Sequence, residues 1–251
     1  MILKNGNKVL IHNADIIQPD LFYVNPFDYS GSGSVFYDRV SNNPINVLGS
    51  PVWNGNSFTF TANVNYLRID EVQFPFTYGD NGYAEDFTYS MWFKVTSTNI
   101  YQYPFRIFGT SGGNFDMDIN DTDSGSVRRT LWMYINSGGG NYSSMPIGTF
   151  PGGDGTNSDF IQTVPKFIHY TYRRRFNTDV THFINGVAMT GAPNDAGHLT
   201  TPIYGGAIYI GLSNFNGSIG SVYGYSTSLT DEQILYNYNV GLNHNMKMIL
   251  K

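Results

Sequence analysis

Apolar and polar residues alternate in short runs along most of the chain, as they do in strands that bury one face. Gly, Asn, Asp, Ser and Pro separate these runs, and these residue types favour turns. The pattern predicts strands at 57–64, 66–72, 87–95, 103–110, 130–136, 166–176, 180–189, 207–212 and 220–226. Many short strands separated by turns predict an all-β fold in which two antiparallel sheets pack face to face.

The last predicted strand runs into one short helix. Thr230 fits an N-cap and Gln233 completes a capping box, so we expect the helix to begin here. We expect it to extend for about eight residues and to lie against the sandwich, because so short a helix is unstable alone. No other run predicts a long helix, and the glycine-rich segment 136–160 is predicted to be a loop.

Glycines within the strand pattern indicate local backbone geometry. Asn185-Gly186 is predicted to form a tight turn between two strands, since glycine adopts the left-handed conformation at little cost. Gly217 and Gly220 are predicted to let the last strand bend or bulge.

The two ends of the chain are predicted to lie outside the main domain. Residues 2–11 fit a β-hairpin that turns at Asn5-Gly6, and 245–251 fit a further alternating strand. Both ends either join an edge of the sandwich or dock on a partner. The predicted organisation is an N-terminal hairpin or arm at 1–20, one jelly-roll domain at 21–240 and a C-terminal strand or tail at 241–251.

The composition favours a surface built from uncharged polar groups. Charged residues make up only 13% of the chain and aromatic residues 16%, so Asn, Ser, Thr, Gly and Tyr must supply much of the surface. Such a surface is typical of extracellular and virion β-proteins and of sugar-binding proteins. The net charge is −5 and there is no long basic run, so nucleic-acid binding is not expected. The arginines at 173–175 are interpreted as a strand end whose side chains reach solvent.

Several classes of protein are excluded by what the sequence lacks. It contains no Cys, which excludes disulfides, thiolate metal sites and cysteine nucleophiles. No apolar run approaches the roughly 20 residues that span a bilayer, so membrane insertion is not expected. The first residues carry no apolar core of a secretory signal. An extracellular type of surface without an export signal fits a virion protein that is released when the host lyses.

Four motifs follow one another in an order that is typical of one family. They are "FTYSMWFKV" (87–95), "KFIHYTYRRRFNTDVTHFINGV" (166–187), "AIYIGLSNFNGSIG" (207–220) and "FNGSIGSVYGYSTSLTDEQILYNYN" (215–239). Together they resemble the laminin-G-like branch of the concanavalin A-like lectin/glucanase superfamily, over about residues 21–239. The resemblance implies a concanavalin A-like jelly-roll sandwich with one short C-terminal helix. The close of the helix, "EQILYNYN" (232–239), is also similar to domains of bacteriophage structural proteins, in tails or on capsid surfaces.

Catalysis is not expected from the acidic residues. Glucanases on this fold use two carboxylates that flank the scissile bond, about 5 Å apart in retaining enzymes. The chain has only three Glu, at positions 71, 85 and 232, and they are far apart in sequence. None begins the alternating acidic motif that such a pair requires. The chain is therefore predicted not to be an enzyme, with a divergent glycan hydrolase kept as the least favoured alternative.

One acidic run is a candidate calcium site. Asp116, Asp118 and Asn120 alternate and share one face of a strand, and Asp121 follows directly. Ca²⁺ takes six to eight oxygen ligands, and many laminin-G-like domains hold this ion, so the resemblance supports the assignment. The alternative is an outer strand face of acids in solvent, with the apolar residues between them facing the core.

Two further sets of side chains are candidates for binding. His169 and His182 lie on consecutive strands, where they either pack together or hold a metal. Tyrosines in or beside loops either stack on sugar rings or pack on their own domain. The tyrosines proposed to bind glycans are Tyr101, Tyr103, Tyr142 and Tyr204.

The function expected from these patterns is that of a non-enzymatic bacteriophage virion protein. It would decorate the capsid or form part of a tail or fibre, lie on the virion surface and adhere weakly to cell-surface glycans. Its expected partners are other virion proteins, glycans and further copies of this chain, without nucleic acid and without membrane insertion. The alternative is a calcium-dependent carbohydrate-binding lectin that holds its ion at the acidic run.

Overall fold

A computed structural model describes most of the chain. The described residues are 2–5, 8–11, 15–61, 64–70, 86–96, 102–109, 114–120, 130–136, 141–146, 167–189 and 206–249. For some elements the structure describes the backbone alone. These are 2–5, 8–11, 130–136, 141–146 and 243–249.

The described residues form eighteen strands, a 3-10 helix at Pro26–Asp28 and the helix α1 at Asp231–Ile249. The strands are β1 (Ile2–Asn5), β2 (Lys8–Ile11), β3 (Phe22–Val24), β4 (Val35–Tyr37), β5 (Pro44–Leu48), β6 (Val52–Trp53), β7 (Phe58–Phe60), β8 (Tyr66–Ile69), β9 (Phe87–Val95), β10 (Gln102–Gly109), β11 (Asn114–Asn120), β12 (Thr130–Asn136), β13 (Asn141–Pro146), β14 (Ile168–Arg175), β15 (Asp179–Ile184), β16 (Val187–Ala188), β17 (Gly206–Leu212) and β18 (Gly217–Tyr225).

These strands form two eight-stranded antiparallel sheets and a separate hairpin of β1 and β2. The first sheet, called sheet I, has the order β13-β12-β11-β10-β17-β8-β5-β4. The second, called sheet II, has the order β16-β15-β14-β9-β18-β7-β6, with β3 also paired to β18. The central neighbours in both sheets, such as β10 with β17 and β9 with β18, are distant in sequence, as in a jelly roll. The predicted two-sheet, all-β sandwich is confirmed.

The main core lies between the sheets and is rich in aromatic side chains. The Tyr89 ring of sheet II lies 4.2 Å from the Phe105 ring of sheet I, measured between centroids. Phe22 stacks on the same Phe105 at 5.9 Å. These residues are fully buried, and aromatic pairs stabilise a core beyond the area that they bury. Within β9, Met91 and Phe93 face this core while Trp92 faces the other side of sheet II, as the period of a strand requires.

The turn and the bulge that the glycines predict are both present. Asn185 and Gly186 both have positive φ, 52° and 78°, at the turn between β15 and β16. The register of β18 against β9 shifts between Ile219 and Val222, which is the bulge predicted beside Gly220.

Some elements differ from the sequence prediction. The segment 136–160 was predicted to be a loop, but β13 lies within it and pairs with β12. Its alternation is weak because a strand at the edge of a sheet buries little side-chain surface. The short strands β3 to β6 were also not predicted, since runs of two to five residues carry too little periodicity to detect.

The C-terminal helix is longer than predicted. Its capping box is as expected: the Thr230 N–H donates to Gln233 Oε1 (2.8 Å), and the Gln233 N–H donates to Thr230 Oγ1 (3.2 Å). However, α1 has 19 residues, so the predicted length of about eight was wrong. The strand predicted at 245–251 was also wrong, since the helix continues to Ile249. No proline follows the cap, and a nucleated helix extends until a residue stops it.

The outer face of sheet II is covered by α1 and by residues 15–20. A second apolar cluster fills this interface and contains Ile16, Phe183, Tyr223, Tyr225, Leu229, Ile234 and Val240. Asn237 of α1 accepts from the Ile17 N–H (2.8 Å) and donates to the Tyr225 hydroxyl (2.9 Å). Within the described part of the chain, no helix combines the length and apolar character that a bilayer crossing requires.

Because both faces of sheet II are covered, Arg173 and Arg174 do not reach solvent as predicted, whereas the Arg175 side chain at the end of β14 is 40% exposed. Arg174 is fully buried, and Arg173 lies beneath the start of α1. Nη1 of Arg173 donates to the Leu229 carbonyl (3.1 Å) and to the Asp231 carboxylate (2.5 Å). Arg173 therefore fixes the N-terminal end of the helix to the sheet.

His169 lies at the centre of the interface between sheet II and α1. Its ring packs on Trp92, with 4.9 Å between centroids, and its Nε2 forms a hydrogen bond with the Tyr223 hydroxyl (2.7 Å). Nδ1 has no hydrogen-bond partner in the described structure. Burial lowers the pKa of His169 to about 3, because the interface cannot solvate an imidazolium.

This geometry predicts a pH-dependent stability. Below pH 6.5 the unfolded chain protonates His169 while the folded chain does not until about pH 3, so the free energy of unfolding should fall as the pH falls through this window. The contribution is up to about 1.4 kcal/mol per pH unit. Urea unfolding at pH 7 and at pH 5 should show a smaller loss of stability for His169→Gln than for the wild type. Equal losses in the two proteins would contradict this assignment.

Candidate functional site

A groove of about 810 Å³ lies beside β3, at the edge of the surface that α1 covers. Its lining combines exposed aromatic and polar side chains with a few apolar ones. The lining residues are Asp15, Ile16, Gln18, Pro19, Tyr23, Asn25, Phe27, Arg39 and Val40. A small cavity shares four of these residues and continues inward to Trp92, Tyr223 and Gly241. It holds about 20 Å³, which is room for about one water molecule, so the ligand-sized space is the outer groove.

The aromatic wall of the groove is set by the 3-10 helix. Asn25 is its N-cap, and its Oδ1 accepts from the Phe27 N–H (3.2 Å) while its Nδ2 donates to the Tyr23 hydroxyl (3.3 Å). Pro26 begins the helix with a fixed φ. Phe27 is held in this way with 44% of its surface exposed, so its ring is open to the groove.

The polar wall is set by a turn built on Asp38, whose side chain is buried. Its Oδ2 accepts from the backbone N–H groups of Val40 (3.2 Å) and Ser41 (2.7 Å), and its Oδ1 accepts from the Tyr23 N–H. The Arg39 N–H in turn donates to the Tyr23 carbonyl (3.0 Å). These bonds tie the turn to β3 and so place the Arg39 side chain over the groove.

Arg39 is engaged on two sides. Its Nε and Nη2 donate to the two carboxylate oxygens of Asp28, at 2.6 and 2.7 Å, and its guanidinium lies 5.1 Å from the Tyr23 ring centroid. The hydrogen bond that Arg39 donates to Asp28 raises the pKa of Arg39. Burial raises the pKa of the Tyr23 phenol, although Arg39 opposes the change. The lining of the groove thus contains one carboxylate, Asp15, which is exposed at the rim, and one cation, Arg39, which is paired with Asp28.

Two residues from the sequence predictions, Asp116 and Tyr103, are brought together on the outer face of sheet I. Arg106 donates to both carboxylate oxygens of Asp116, each at 2.6 Å, and its guanidinium lies 4.4 Å from the Tyr103 ring centroid. Asp116 is only 1% exposed, so it is an ion-paired residue and not a solvated one. Burial raises the pKa of Asp116, and Arg106 opposes this shift. A cation at Asp116 would have to displace the guanidinium.

The other predicted site residues are described in part or not at all. Asp118 and Asn120 follow Asp116 on β11, and Tyr142 lies on β13, each with its backbone described. Asp121, Tyr101 and Tyr204 lie outside the described residues. The described residues contain no group of three His, Asp or Glu that could hold a metal ion. The calcium site and the tyrosine site therefore stay predictions.

The two histidines do not meet. His169 faces α1, whereas His182 lies on the opposite face of sheet II, where its Nδ1 forms a hydrogen bond with the Tyr170 hydroxyl (2.8 Å). The sequence alone left this pairing open because the register of the two strands was unknown. In the structure His182 is paired with Tyr172, and His169 lies beside Asn185 at the turn.

Comparison with known proteins assigns the family. The family model described as the concanavalin A-like lectin/glucanases superfamily, of the laminin-G type, matches residues 61–235. The chain therefore belongs to the concanavalin A-like lectin/glucanase superfamily, as the four motifs predicted. No curated protein sequence is similar enough to count as a match.

Solved structures share the fold at low sequence identity. The receptor-binding domain of botulinum neurotoxin D is 14% identical, with a TM-score of 0.63 over 89% of this chain and 53% of that one. The same serotype's ligand-binding domain, solved with N-acetylneuraminic acid, is 14% identical, with a TM-score of 0.60 over 89% and 51%. A Trypanosoma rangeli sialidase, in complex with 2,3-difluoro-KDN, is 12% identical, with a TM-score of 0.59 over 90% and 33%. The chain thus spans about half of the neurotoxin domains and a third of the sialidase.

The turn that builds the polar wall can be tested by two matched aspartates. Asp38→Asn replaces a buried carboxylate that accepts several N–H bonds, so we expect the free energy of unfolding to fall by about 1 to 3 kcal/mol. Asp28→Asn breaks an exposed ion pair and should lower it by less than about 1 kcal/mol. Chemical denaturation of both variants measures the difference. A loss from Asp28→Asn that equals the loss from Asp38→Asn would contradict this description of the turn.

Proposed function

We propose that this chain is a non-enzymatic adhesive module that binds carbohydrate in the groove beside β3. The observation that carries the proposal is the exposed Phe27 ring, held in a groove of about 810 Å³ next to charged and amide side chains. Small-ligand sites have volumes of this order and combine apolar walls with a few fixed polar groups.

Each group in the groove matches part of a sugar. The flat Phe27 ring suits the C–H face of a pyranose, since aromatic faces bury apolar surface with little loss of side-chain freedom. The carboxylate of Asp15 can accept from sugar hydroxyls, and the amide of Gln18 can both donate and accept. The rigid backbone of the groove keeps the entropic cost of binding low, because the side chains are already oriented.

The comparisons support carbohydrate as the class of ligand. The fold is that of a lectin superfamily, and one structural relative was solved with N-acetylneuraminic acid. A sialidase is also among the relatives, but the groove offers no simple pair of catalytic carboxylates. Asp28 is bound by Arg39, and Glu232 lies exposed in the first turn of α1. We therefore propose binding without bond cleavage.

The groove predicts a specific loss of binding. Phe27→Ala should reduce glycan binding at least about tenfold, because it removes the stacking surface, and it should change the midpoint of thermal unfolding little. Tyr37→Ala is the matched control, since Tyr37 is a large aromatic side chain that is 54% exposed and lies outside the groove. Glycan-array screening followed by titration calorimetry measures both variants. Equal binding by Phe27→Ala and the wild type would remove the groove as the site.

The tyrosine and calcium predictions are alternatives within the same experiment. Tyr103→Ala tests the predicted tyrosine site, and titration with and without a chelator tests a calcium-dependent lectin. If binding depends on Tyr103 or on calcium and not on Phe27, the outer face of sheet I becomes the favoured site.

We further propose that the module is displayed on a bacteriophage virion, on the capsid surface or in a tail or fibre. The support is the composition poor in charge and the likeness of "EQILYNYN" at 232–239 to phage structural proteins. Its partners would be other virion proteins and further copies of this chain. Mass spectrometry of purified particles should detect the chain at a fixed stoichiometry to a capsid or tail protein. Its absence from all particle fractions would reject the virion proposal without affecting the groove.

A further inference from the structure

We infer that the groove beside β3 selects uncharged saccharides over acidic ones. The inference rests on the proposed function and names the class of sugar that the groove takes. It follows from the arrangement of Asp15, Asp28 and Arg39, together with the exposure of Phe27.

The cation of the groove is already occupied. An acidic sugar is usually recognised through its carboxylate, and a bidentate bond to arginine is the strongest way to make that contact. In this chain Arg39 makes the bidentate bond to Asp28, at 2.6 and 2.7 Å, and its remaining face covers the Tyr23 ring. A ligand carboxylate would find only the Nη1 side of the guanidinium, and it would lie beside the Asp28 carboxylate, which already neutralises that charge.

The balance of charge in the groove points the same way. Asp15 lies exposed at the rim, and Asp28, which is not a lining residue, is paired with Arg39, so two carboxylates act on the one guanidinium. The local excess is negative, like the net charge of −5 of the whole chain. Like charges repel an anionic ligand, whereas a carboxylate accepts hydrogen bonds from the hydroxyls of a neutral sugar.

The aromatic ring that a ligand can reach in the groove also carries no polar group. The face of Tyr23 is covered by Arg39, and its ring packs edge-on against Tyr223 at 5.8 Å. Phe27 is therefore the ring that remains open for stacking, and it carries no polar group. This arrangement favours the apolar face of a neutral pyranose, whereas an acidic group would meet a lining whose one cation, Arg39, is already bound to Asp28.

The test compares neutral glycans with their sialylated counterparts that share the same core, for example lactose and 3′-sialyllactose. An array identifies the neutral glycan that binds best, and calorimetry then measures that glycan and its sialylated form. We expect the wild type to bind the neutral member at least about tenfold more tightly. Asp28→Asn releases Arg39 and removes one carboxylate, so this variant should bind the sialylated member at least about tenfold more tightly than the wild type does.

Asp179→Asn is the matched control. It makes the same change in net charge by breaking the exposed Arg175–Asp179 pair, which does not line the groove. This variant should keep the selectivity of the wild type.

The possible outcomes separate the inference from the function on which it rests. Wild-type protein that binds the sialylated member as tightly as the neutral one overturns the selectivity and leaves glycan binding in the groove intact. The same holds if Asp28→Asn and Asp179→Asn change the selectivity equally. A wild type that binds neither neutral nor sialylated glycans removes the proposed function, and the selectivity with it.

Discussion

Burial of sheet II on both faces is the constraint on which the rest of the structure depends. One face packs on sheet I and the other is covered by α1 and residues 15–20. Polar side chains of its central strands must therefore find partners inside the protein. Ser90 and Thr171 share a hydrogen bond of 2.7 Å, and His169 is bonded to Tyr223. Arg173 is held by the start of α1, so its charge links the sheet to its cover.

The groove exists because that cover is incomplete. Tyr23 lies on the same outer face of sheet II as Tyr223, but at the margin of the helix, where the turn at Asp38 and the 3-10 helix rise beside it. If α1 covered the whole outer face of sheet II, there would be no open groove. If nothing covered that face, the groove would have no walls. The candidate function of the chain thus follows from where α1 passes over the sheet and where it does not.

The fold could be predicted further than the site, for physical reasons. The run at 87–95 was predicted to the residue because a central strand carries a long and regular pattern. The alternation of β14 was also detected, but the pattern could not show that both of its faces were buried at this point, so Arg173 and Arg174 were misjudged. The groove depends on contacts between residues distant in sequence, such as Tyr23 with Arg39, and the residue types themselves are common. Asn25 before Pro26 marks a turn, yet nothing local connects that turn to Asp38.

Gly241 has a consequence for the shape of the whole outer face. It lies within α1 directly above Trp92, and a methyl group at this position would lie 2.6 Å from the indole nitrogen. The lack of a side chain at Gly241 therefore allows the helix to approach the sheet closely. The inner end of the groove borders the same glycine. A substitution at Gly241, which does not line the groove itself, can thus change the small cavity at the inner end of the groove.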